Sequence, residues 1–322
     1  MRLNLIASLL YCSSLLAQPA VERGEGLLKA GDLAGAARVL SGPAQGGNPK
    51  AQFLLGMVEA NLGRDQGARA WWTKASNGGN GDAATALGYF ALGGRGGEPR
   101  SSSNAARLFS QGARGGSGQG MLNLSRLLMI GDGIGMDRAR AGQLRQQAAG
   151  AGEPTATALV RAGANKDGPA IIDVATWLGN FGRAREGVSI LEAEAKQGDV
   201  AAMIVLGKIH YNGQAGAGRN YELARAWWER AGRNPAALYA LGILYMYGRG
   251  VHTDWGRAEV YFSGAAKLGH PDGARMAATM RSPRVPTAGL DQRPGFSADC
   301  GNRGGYENAG ICIRNGDVID VK

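Results

Sequence analysis

A helix-length pattern that recurs along the chain constrains the fold more than any other feature of the sequence. Its clearest copy is NPAALYALGILYMYGRGVHTDWGRAEVYFSGAAKLGHPDG, residues 234–273. Apolar residues at three- to four-residue spacing predict a first helix that begins near Pro235. Gly248 and Gly250 then end this helix, because glycine adopts a positive φ readily. Asp254 is a suitable N-cap for a second helix, so the copy predicts a helix hairpin with a glycine turn.

The spacing within this hairpin is kept in other copies. A glycine lies six residues after the second member of a Leu-Gly or Leu-Ser pair at Gly94, Gly131, Gly213 and Gly248. Another glycine lies eight residues after it, except that one copy has Ala215. Large residues lie seven positions after the capping residue at Leu144, Trp227 and Tyr261, and these are predicted to fill the seam with the next hairpin. Because one such hairpin cannot bury its apolar faces alone, the copies are expected to stack.

These residues also carry a resemblance to a known family. The pattern LG-x-x-Y-x-x-G-x-G-V at Leu241–Val251, followed by Asp254, Ala258 and Ala265-Ala266, resembles the Sel1-like repeat family, which is related to the tetratricopeptide repeats. The resemblance implies an all-α fold, a right-handed α-solenoid of six or seven stacked antiparallel helix hairpins over residues 21–280. It also implies adaptor roles in assembly, secretion or signalling, often in the bacterial cell envelope.

The copies differ in how closely they follow the pattern. Regular copies are expected at residues 48–82, 81–116, 118–152 and 198–232, and residues 21–48 form an imperfect first hairpin. Residues 153–198 are degenerate. In that segment Leu178-Gly179 keeps the helical pattern, and an extra helix is predicted at Thr155–Ala164.

The N-terminal residues predict an exported protein. Residues 1–20 combine one positive charge, an apolar run and a small residue at Ala17 or Ala20, which is the pattern of a cleaved signal peptide too short to span a bilayer. Tyr11 precedes Cys12, where a lipidation site usually has a small residue, so a lipoprotein is not expected. The chain is therefore expected in the periplasm or outside the cell, without a stable membrane span.

The net charge of +10 raises the question of nucleic acid binding. The basic residues are mostly arginine, and they are scattered over every repeat without forming a run. This distribution favours a solvated surface, so no nucleic acid partner is expected.

The tail, residues 281–322, changes in character. Three prolines predict a linker, and Cys300 and Cys312 predict a disulfide in an exported chain. Asn315-Gly316 lies between two apolar runs and predicts a β-hairpin at residues 311–321. This hairpin either caps the last helix pair or docks on a partner, and both interpretations stay open.

If the first helices line the inner surface, as they do in related tetratricopeptide stacks, one face of each is exposed and predicted to bind a partner. We call these positions the stripe: Phe53, Met57, Tyr89, Leu92, Arg126, Met129, Lys208, Tyr211, Tyr239, Ile243 and Met246. The stripe is apolar with two cations and no carboxylate, which suits an apolar or acidic protein or peptide. The alternative is that tight curvature of the stack buries these residues.

The sequence contains no predicted catalytic residues, cofactor site or metal site. The three histidines lack metal-ligand spacing, and the glycine turns lack the setting of a phosphate loop. The pairs Trp71-Trp72 and Trp227-Trp228 leave a glycan-binding scaffold as an alternative, with one member of each pair expected in the core. Hydrolysis of β-lactams or cell-wall fragments is a weaker rival, since its cysteine-rich relatives carry a cysteine pair in each repeat. The main prediction is a monomeric, non-enzymatic adaptor.

Overall fold

The computed structural model describes residues 18–162, 167–281, 306–308, 311–314 and 317–321. Contacts within the chain divide it into two compact units, Met1–Ala202 and Met203–Lys322, and the boundary falls inside a helix. The predicted limits of the signal peptide, the repeat region and the tail stay predictions.

The first unit is built from helices joined by short turns. They are α1 (18–29), α2 (Leu33–Gln45), α3 (Pro49–Asn61), α4 (Asp65–Asn77), α5 (Gly81–Gly93), α6 (Ser102–Arg114), α7 (Gly118–Ile130), α8 (Arg138–Gly150), α9 (Pro154–Arg161), α10 (Asp167–Gly179), α11 (Ala184–Lys196) and the start of α12 (Val200–Asn212). Each helix from α2 to α8 packs against the next one, and α10 packs against both α11 and α7. Helix α9 covers most of the range predicted for a helix at Thr155–Ala164, and residues 163 and 164 lie outside the described residues.

The second unit contains the rest of α12 and four further helices: α13 (Tyr221–Arg230), α14 (Pro235–Tyr247), α15 (Trp255–Lys267) and α16 (Gly273–Arg281). Helices α13 to α16 pack in chain order. Both units thus consist of stacked helix hairpins, which confirms the predicted all-α solenoid class.

Side chains cap the helices where the sequence predicts. Asp254 Oδ1 accepts the Arg257 backbone N–H at 2.9 Å, which confirms the predicted N-cap of α15. A cap of this kind stabilises a helix by about 1 kcal/mol. In the turn before it, Gly248 and Gly250 have φ values of 65° and 67°. Ala215, the exception in the glycine pattern, has a φ of 55°, and it is the only non-glycine residue in the described part of the chain with a positive φ.

Four of the hairpins are held together by an aromatic ring that packs against a glycine. A Cβ added at Gly56 would lie 2.4 Å from the Trp72 ring, and one added at Gly242 would lie 2.6 Å from the Phe262 ring. The same contact joins Gly88 to Phe109 and Gly207 to Trp228. The helical glycines therefore have a packing role, because only a residue without a Cβ leaves room for the ring.

The ring that contacts the glycine belongs to the residue after the one predicted to fill the seam with the next hairpin. Trp228 and Phe262 are buried, whereas the predicted seam residues Trp227 and Tyr261 are only half-buried. A shift of one residue turns a side chain by about 100° around the helix axis. Leu144 is buried as predicted.

In the degenerate segment, Leu178-Gly179 lies in α10 as the helical pattern predicts, but its glycine packs against no ring. Gly179 is exposed, and no atom would come within 4 Å of a Cβ added there. Helices α10 and α11 approach closely at another glycine, where a Cβ added at Gly187 would lie 2.7 Å from the Ala175 carbonyl oxygen. In this hairpin the small residue is thus on the second helix.

The tail contains three short antiparallel strands in the order β1 (Tyr306–Asn308), β2 (Ile311–Arg314) and β3 (Asp317–Val321). Strands β2 and β3 lie within the range predicted for a hairpin, with Arg314 opposite Asp317. Strand β1 has no counterpart in the sequence prediction. Cys300 lies outside the described residues, so the disulfide with Cys312 stays a prediction.

Candidate functional site

The first unit contains a pocket of about 850 Å³. Helix α10 and the turn after it form one wall, and α5, the α5–α6 loop and α7 form the other. We call it the unit-1 pocket, and it is lined by Trp72, Ala86, Tyr89, Phe90, Gly93, Arg95, Arg100, Gln119, Arg126, Thr155, Asp173, Thr176, Trp177, Asn180 and Phe181. Its volume is in the range of small-ligand and peptide-anchor sites.

The degenerate segment creates this pocket. Helix α9 has only eight residues and packs against α8, and the following helix, α10, packs against α7. Two ion pairs tie the α10–α11 hairpin to the α7–α8 hairpin: Arg183 with Asp132 at 2.6 Å, and Arg138 with Glu194 at 2.5 Å. The departure from the regular repeat thus places the end of α10 opposite α5.

Aromatic rings meet where the two walls come together. Phe181, just after α10, stacks on Tyr89 of α5 with ring centroids 6.0 Å apart and an interplanar angle of 14°. Trp177 meets the edge of Phe181 at 5.2 Å, and Tyr89 meets the edge of Phe109 at 5.6 Å. Offset and edge-to-face pairs of this kind add about 0.5–1.5 kcal/mol each beyond burial, so they help to hold the two walls together.

An ion pair is built into the floor of the pocket. Arg126 donates to both carboxylate oxygens of Asp173, at 2.8 and 2.9 Å, and its guanidinium lies 5.4 Å from the Trp177 ring centroid. Arg126 also donates to Asn123 Oδ1 at 2.8 Å. Its side chain is only 8% exposed, and that of Asp173 is 15% exposed. Arg126 is therefore neutralised and joins α7 to α10.

The pocket has a second paired arginine and one open arginine. Arg95 donates to both oxygens of Asp65, at 3.0 and 2.6 Å, and lies over the Phe90 ring. Arg100 is exposed and makes no side-chain hydrogen bond or ion pair with the described part of the chain. It is thus the cation of the pocket that is available to a ligand.

Two hydrogen-bond donors of the pocket also lack acceptors. Gln119 Nε2 donates to Tyr89 Oη at 2.9 Å, which leaves the tyrosine hydroxyl proton available. Trp177 is 4% exposed, and its indole N–H has no acceptor among the residues that the structure describes. An unsatisfied buried donor costs about 1–3 kcal/mol, so a ligand oxygen that reached it would be bound favourably.

In the first unit, the structure locates the predicted stripe residues. Tyr89 and Arg126 line the pocket, although Arg126 is buried and paired. Leu92 and Met129 are buried in the core, and Phe53 and Met57 are half-buried against neighbouring apolar clusters. Adjacent helices cover these four side chains wholly or in part, which agrees with the alternative that the stack buries them, and their role in binding stays a prediction. One stripe residue, Arg126, pairs with the carboxylate of Asp173, which lies in the degenerate segment and which the repeat pattern does not predict.

Of the stripe positions in the second unit, only Lys208 is exposed. Tyr211 is buried against Tyr221 and Trp228, and Arg249 donates to its hydroxyl. Tyr239, Ile243 and Met246 belong to one apolar cluster with Met276 and Ala277 of α16. Helix α16 thus adds a layer that the repeat pattern does not contain, and it covers Tyr239, Ile243 and Met246 wholly or in part.

The burial of Tyr239 also changes its pKa. Its ring stacks on His270 with centroids 4.2 Å apart. Burial raises the pKa of Tyr239 and lowers the pKa of His270. Both groups are therefore neutral at pH 7 and act as packing residues.

The tryptophan pairs leave little ring face open. Trp72 and Trp228 are buried, as expected for one member of each pair, and their indole N–H groups donate to backbone carbonyls at 3.1 and 3.2 Å. Lys74 lies over the Trp71 ring at 4.4 Å, and Arg230 lies over the Trp227 ring at 5.6 Å. No observation on these rings favours a glycan platform.

The described part of the chain contains no group of three His, Cys, Asp or Glu side chains that could hold a metal ion. None of its helices has both the length and the apolar character needed to cross a bilayer.

Comparisons with known proteins agree with the repeat architecture. The family model described as Sel1 repeat matches residues 49–80, 81–117, 200–234 and 235–270. No curated protein matches the sequence.

Similar solved structures include a Sel1 repeat protein from Oxalobacter formigenes, at 25% identity and a TM-score of 0.40, with 77% of this chain and 99% of that chain covered. Another is a protective antigen of uropathogenic Escherichia coli with an SLR fold, at 20% identity and a TM-score of 0.38, with 84% and 73% covered. Sel1 repeat proteins are generally scaffolds for protein–protein interaction. The chain thus contains four Sel1 repeats, which lie in its stacked helix hairpins.

Proposed function

We propose that this chain is a non-enzymatic adaptor of the bacterial cell envelope that holds a segment of a partner protein in the unit-1 pocket. The observation that carries the proposal is the pocket itself, with about 850 Å³ between aromatic walls and an open arginine at its edge. Aromatic residues and arginine are the side chains that most often carry binding energy at protein interfaces.

The walls of the pocket are organised before a partner arrives. The Tyr89–Phe181 stack and the Arg126–Asp173 pair hold α10 against α5 and α7 in the free chain. Since few groups must be ordered on binding, the entropic cost of association is reduced. An apolar or aromatic side chain of the partner would enter between the rings, while its backbone stays at the open edge.

We further propose that the chain acts after export. The apolar N-terminal segment supports this. N-terminal sequencing of the mature protein from a bacterial periplasmic fraction tests this. A first residue of Gln18 or Val21 is expected, and an uncleaved cytoplasmic chain would overturn the proposal.

A substitution that fills the pocket tests where the partner binds. Thr176 is exposed on α10, lines the pocket and donates only to the Ile172 carbonyl, so Thr176→Trp places a ring in the pocket without removing a packing contact. Thr73→Trp is the matched control, because Thr73 is also exposed, donates to the carbonyl four residues earlier, and lies outside this pocket.

The measurement is chemical crosslinking in an envelope extract, followed by mass spectrometry. Wild type and Thr73→Trp are expected to capture the same protein, and Thr176→Trp is expected to lose it. Equal capture by both variants would place binding elsewhere on the chain. Turnover of a chromogenic β-lactam by the purified protein would overturn the non-enzymatic part of the proposal.

A further inference from the structure

We infer that the unit-1 pocket recognises an acidic side chain next to an apolar or aromatic one in the partner's segment. This inference rests on the proposed function, because it specifies the chemistry of the segment that the pocket holds. The ligand class is an internal stretch of protein in which aspartate or glutamate neighbours an aromatic or branched apolar residue.

The first argument is the charge left over in the pocket. Three arginines line it, and two of them are already neutralised by bidentate carboxylates, Arg95 by Asp65 and Arg126 by Asp173. Arg100 has no such partner among the described residues, and Asp173 is the only carboxylate that lines the described pocket. Since both oxygens of Asp173 accept from Arg126, the group that the pocket lacks is a negative charge for Arg100.

The second argument is the imbalance between donors and acceptors. The Tyr89 hydroxyl proton, the Trp177 indole N–H and the Arg100 guanidinium are all donors without an acceptor in the described part of the chain. A carboxylate has two oxygens with about four lone-pair sites and only accepts hydrogen bonds when ionised. A carboxylate thus matches the unused groups, whereas an ammonium or guanidinium group would face donors and a cation.

The third argument is the position of the rings. The same pocket presents Trp72, Tyr89, Phe90, Trp177 and Phe181 beside Arg100. A segment with a carboxylate alone would leave these apolar walls in contact with water. The combination of an apolar anchor with a neighbouring acidic residue satisfies both parts of the lining, and neither component does so alone.

A selection from randomised peptides tests the inference. The peptides are displayed on phage between Gly-Ser flanks, so that no chain terminus is offered, and are selected on the immobilised full chain. Clones that also bind Thr176→Trp are removed. The strongest peptide is then synthesised with a fluorescein label, an acetylated N-terminus and an amidated C-terminus, and is titrated by fluorescence anisotropy.

The expected result is enrichment of Asp or Glu next to Phe, Tyr, Trp, Leu or Ile. Arg100→Glu is expected to weaken binding about tenfold, which is the effect of losing a charge-assisted hydrogen bond of about 1.4 kcal/mol. The matched control is Arg107→Glu, an exposed arginine of α6 outside this pocket, and no loss is expected for it. Replacing the acidic residue of the peptide by its amide should cause a similar loss and should remove the effect of Arg100→Glu.

The other outcomes separate the inference from the proposed function. Enrichment of apolar peptides without acidic residues that still fail to bind Thr176→Trp would overturn the inference and leave the pocket as the binding site. Equal binding of Arg100→Glu and wild type to an acidic peptide would also overturn it. If no peptide distinguishes wild type from Thr176→Trp, both the inference and the assignment of the pocket fail.

Discussion

Replacing Gly242 by alanine should destabilise the second unit, although the same change at most helical glycines is stabilising. A glycine-to-alanine change inside a helix ordinarily raises the free energy of unfolding by about 0.5–1 kcal/mol. At Gly242 the new Cβ would lie 2.6, 2.7 and 2.9 Å from three carbon atoms of the Phe262 ring. The favourable separation of two such atoms is about 3.5–4.0 Å, so the ring would have to move.

The ring has little freedom to do so. Phe262 is 0% exposed and packs in one cluster with Tyr245, Met246 and Met276. Overpacking of a closed core costs about 1–3 kcal/mol, which exceeds the gain from helix propensity. We therefore expect Gly242→Ala to lower the free energy of unfolding by about 1 kcal/mol after the two effects are combined.

Gly264→Ala in α15 of the same hairpin is the matched control. Its Cβ would meet only the Leu238 Cδ1 atom at 3.3 Å, which is the end of a flexible side chain, so a gain of about 0.5 kcal/mol is expected. Urea unfolding followed by far-UV circular dichroism measures the free energy of unfolding of both variants, and their midpoints are compared where the denaturant slopes are equal. Phe262→Leu should reduce the cost of Gly242→Ala, as a double-mutant cycle would show. If the Gly242→Ala variant were as stable as Gly264→Ala, the close contact between Gly242 and the Phe262 ring would be refuted.

Three further predictions follow from single positions. Ala215→Gly should raise the free energy of unfolding by about 0.5–1 kcal/mol, as measured by urea unfolding. The steric strain of a left-handed alanine is removed, and this gain exceeds the cost of the greater freedom that glycine gives the unfolded chain. An unchanged midpoint would contradict this. Asp173→Ala should destabilise the first unit by about 3 kcal/mol in the same assay, since it leaves Arg126 buried without its carboxylate, and a loss below about 1 kcal/mol would show that the pair is solvated. Hydrogen bonds from Lys29 and Lys50 lower the pKa of Glu25 to about 2, so its contribution should be present above pH 4.5 and lost as the pH falls towards 2. Glu25→Gln should therefore be slightly less stable than wild type at pH 7, by less than about 1 kcal/mol because the pair is at the surface, and should match it at pH 2.

The sequence predicts the local structure of the repeats well because each repeat obeys the same local rules. Asp254 caps its helix and Gly248 has a positive φ, as the offsets indicate. Even the exception in the pattern, Ala215, adopts the conformation that its position requires. The turn geometry is thus fixed by the stacking and overrides the preference of the residue that happens to be there.

The pattern fails at contacts that depend on the rotation of one helix against another. The ring that meets Gly207 belongs to Trp228, one residue after the position that the cap spacing indicates. Both tryptophans are large and apolar, so composition does not distinguish them. Only the crossing of the two helices decides which indole faces the glycine, and an alignment of repeats contains no information on that angle.

The burial of stripe residues has a different physical reason. Aligning the first helices identifies equivalent positions, such as Tyr89, Arg126 and Met246, and assumes that equivalent positions have equivalent neighbours. Helix α16 covers Met246, and α10 pairs Asp173 with Arg126, yet neither contact belongs to the repeat. Exposure depends on all elements that surround a position, so the repeat alone does not determine it.

The same argument explains why the candidate site lies in the degenerate segment. In a regular stack, each hairpin offers its neighbour the surface that the neighbour needs. A pocket requires a hairpin that leaves some of this surface uncovered. Helix α9, only eight residues long and packed on α8, interrupts the regular pairing, because the next helix, α10, pairs with α11 and contacts α7. Trp177 of α10 and the nearby Phe181 line the pocket on the side opposite α5 and α7, and they leave it open. The part of the sequence that matches the repeat least well is therefore where the chain gains a surface that its own repeats do not use, and there a partner can bind.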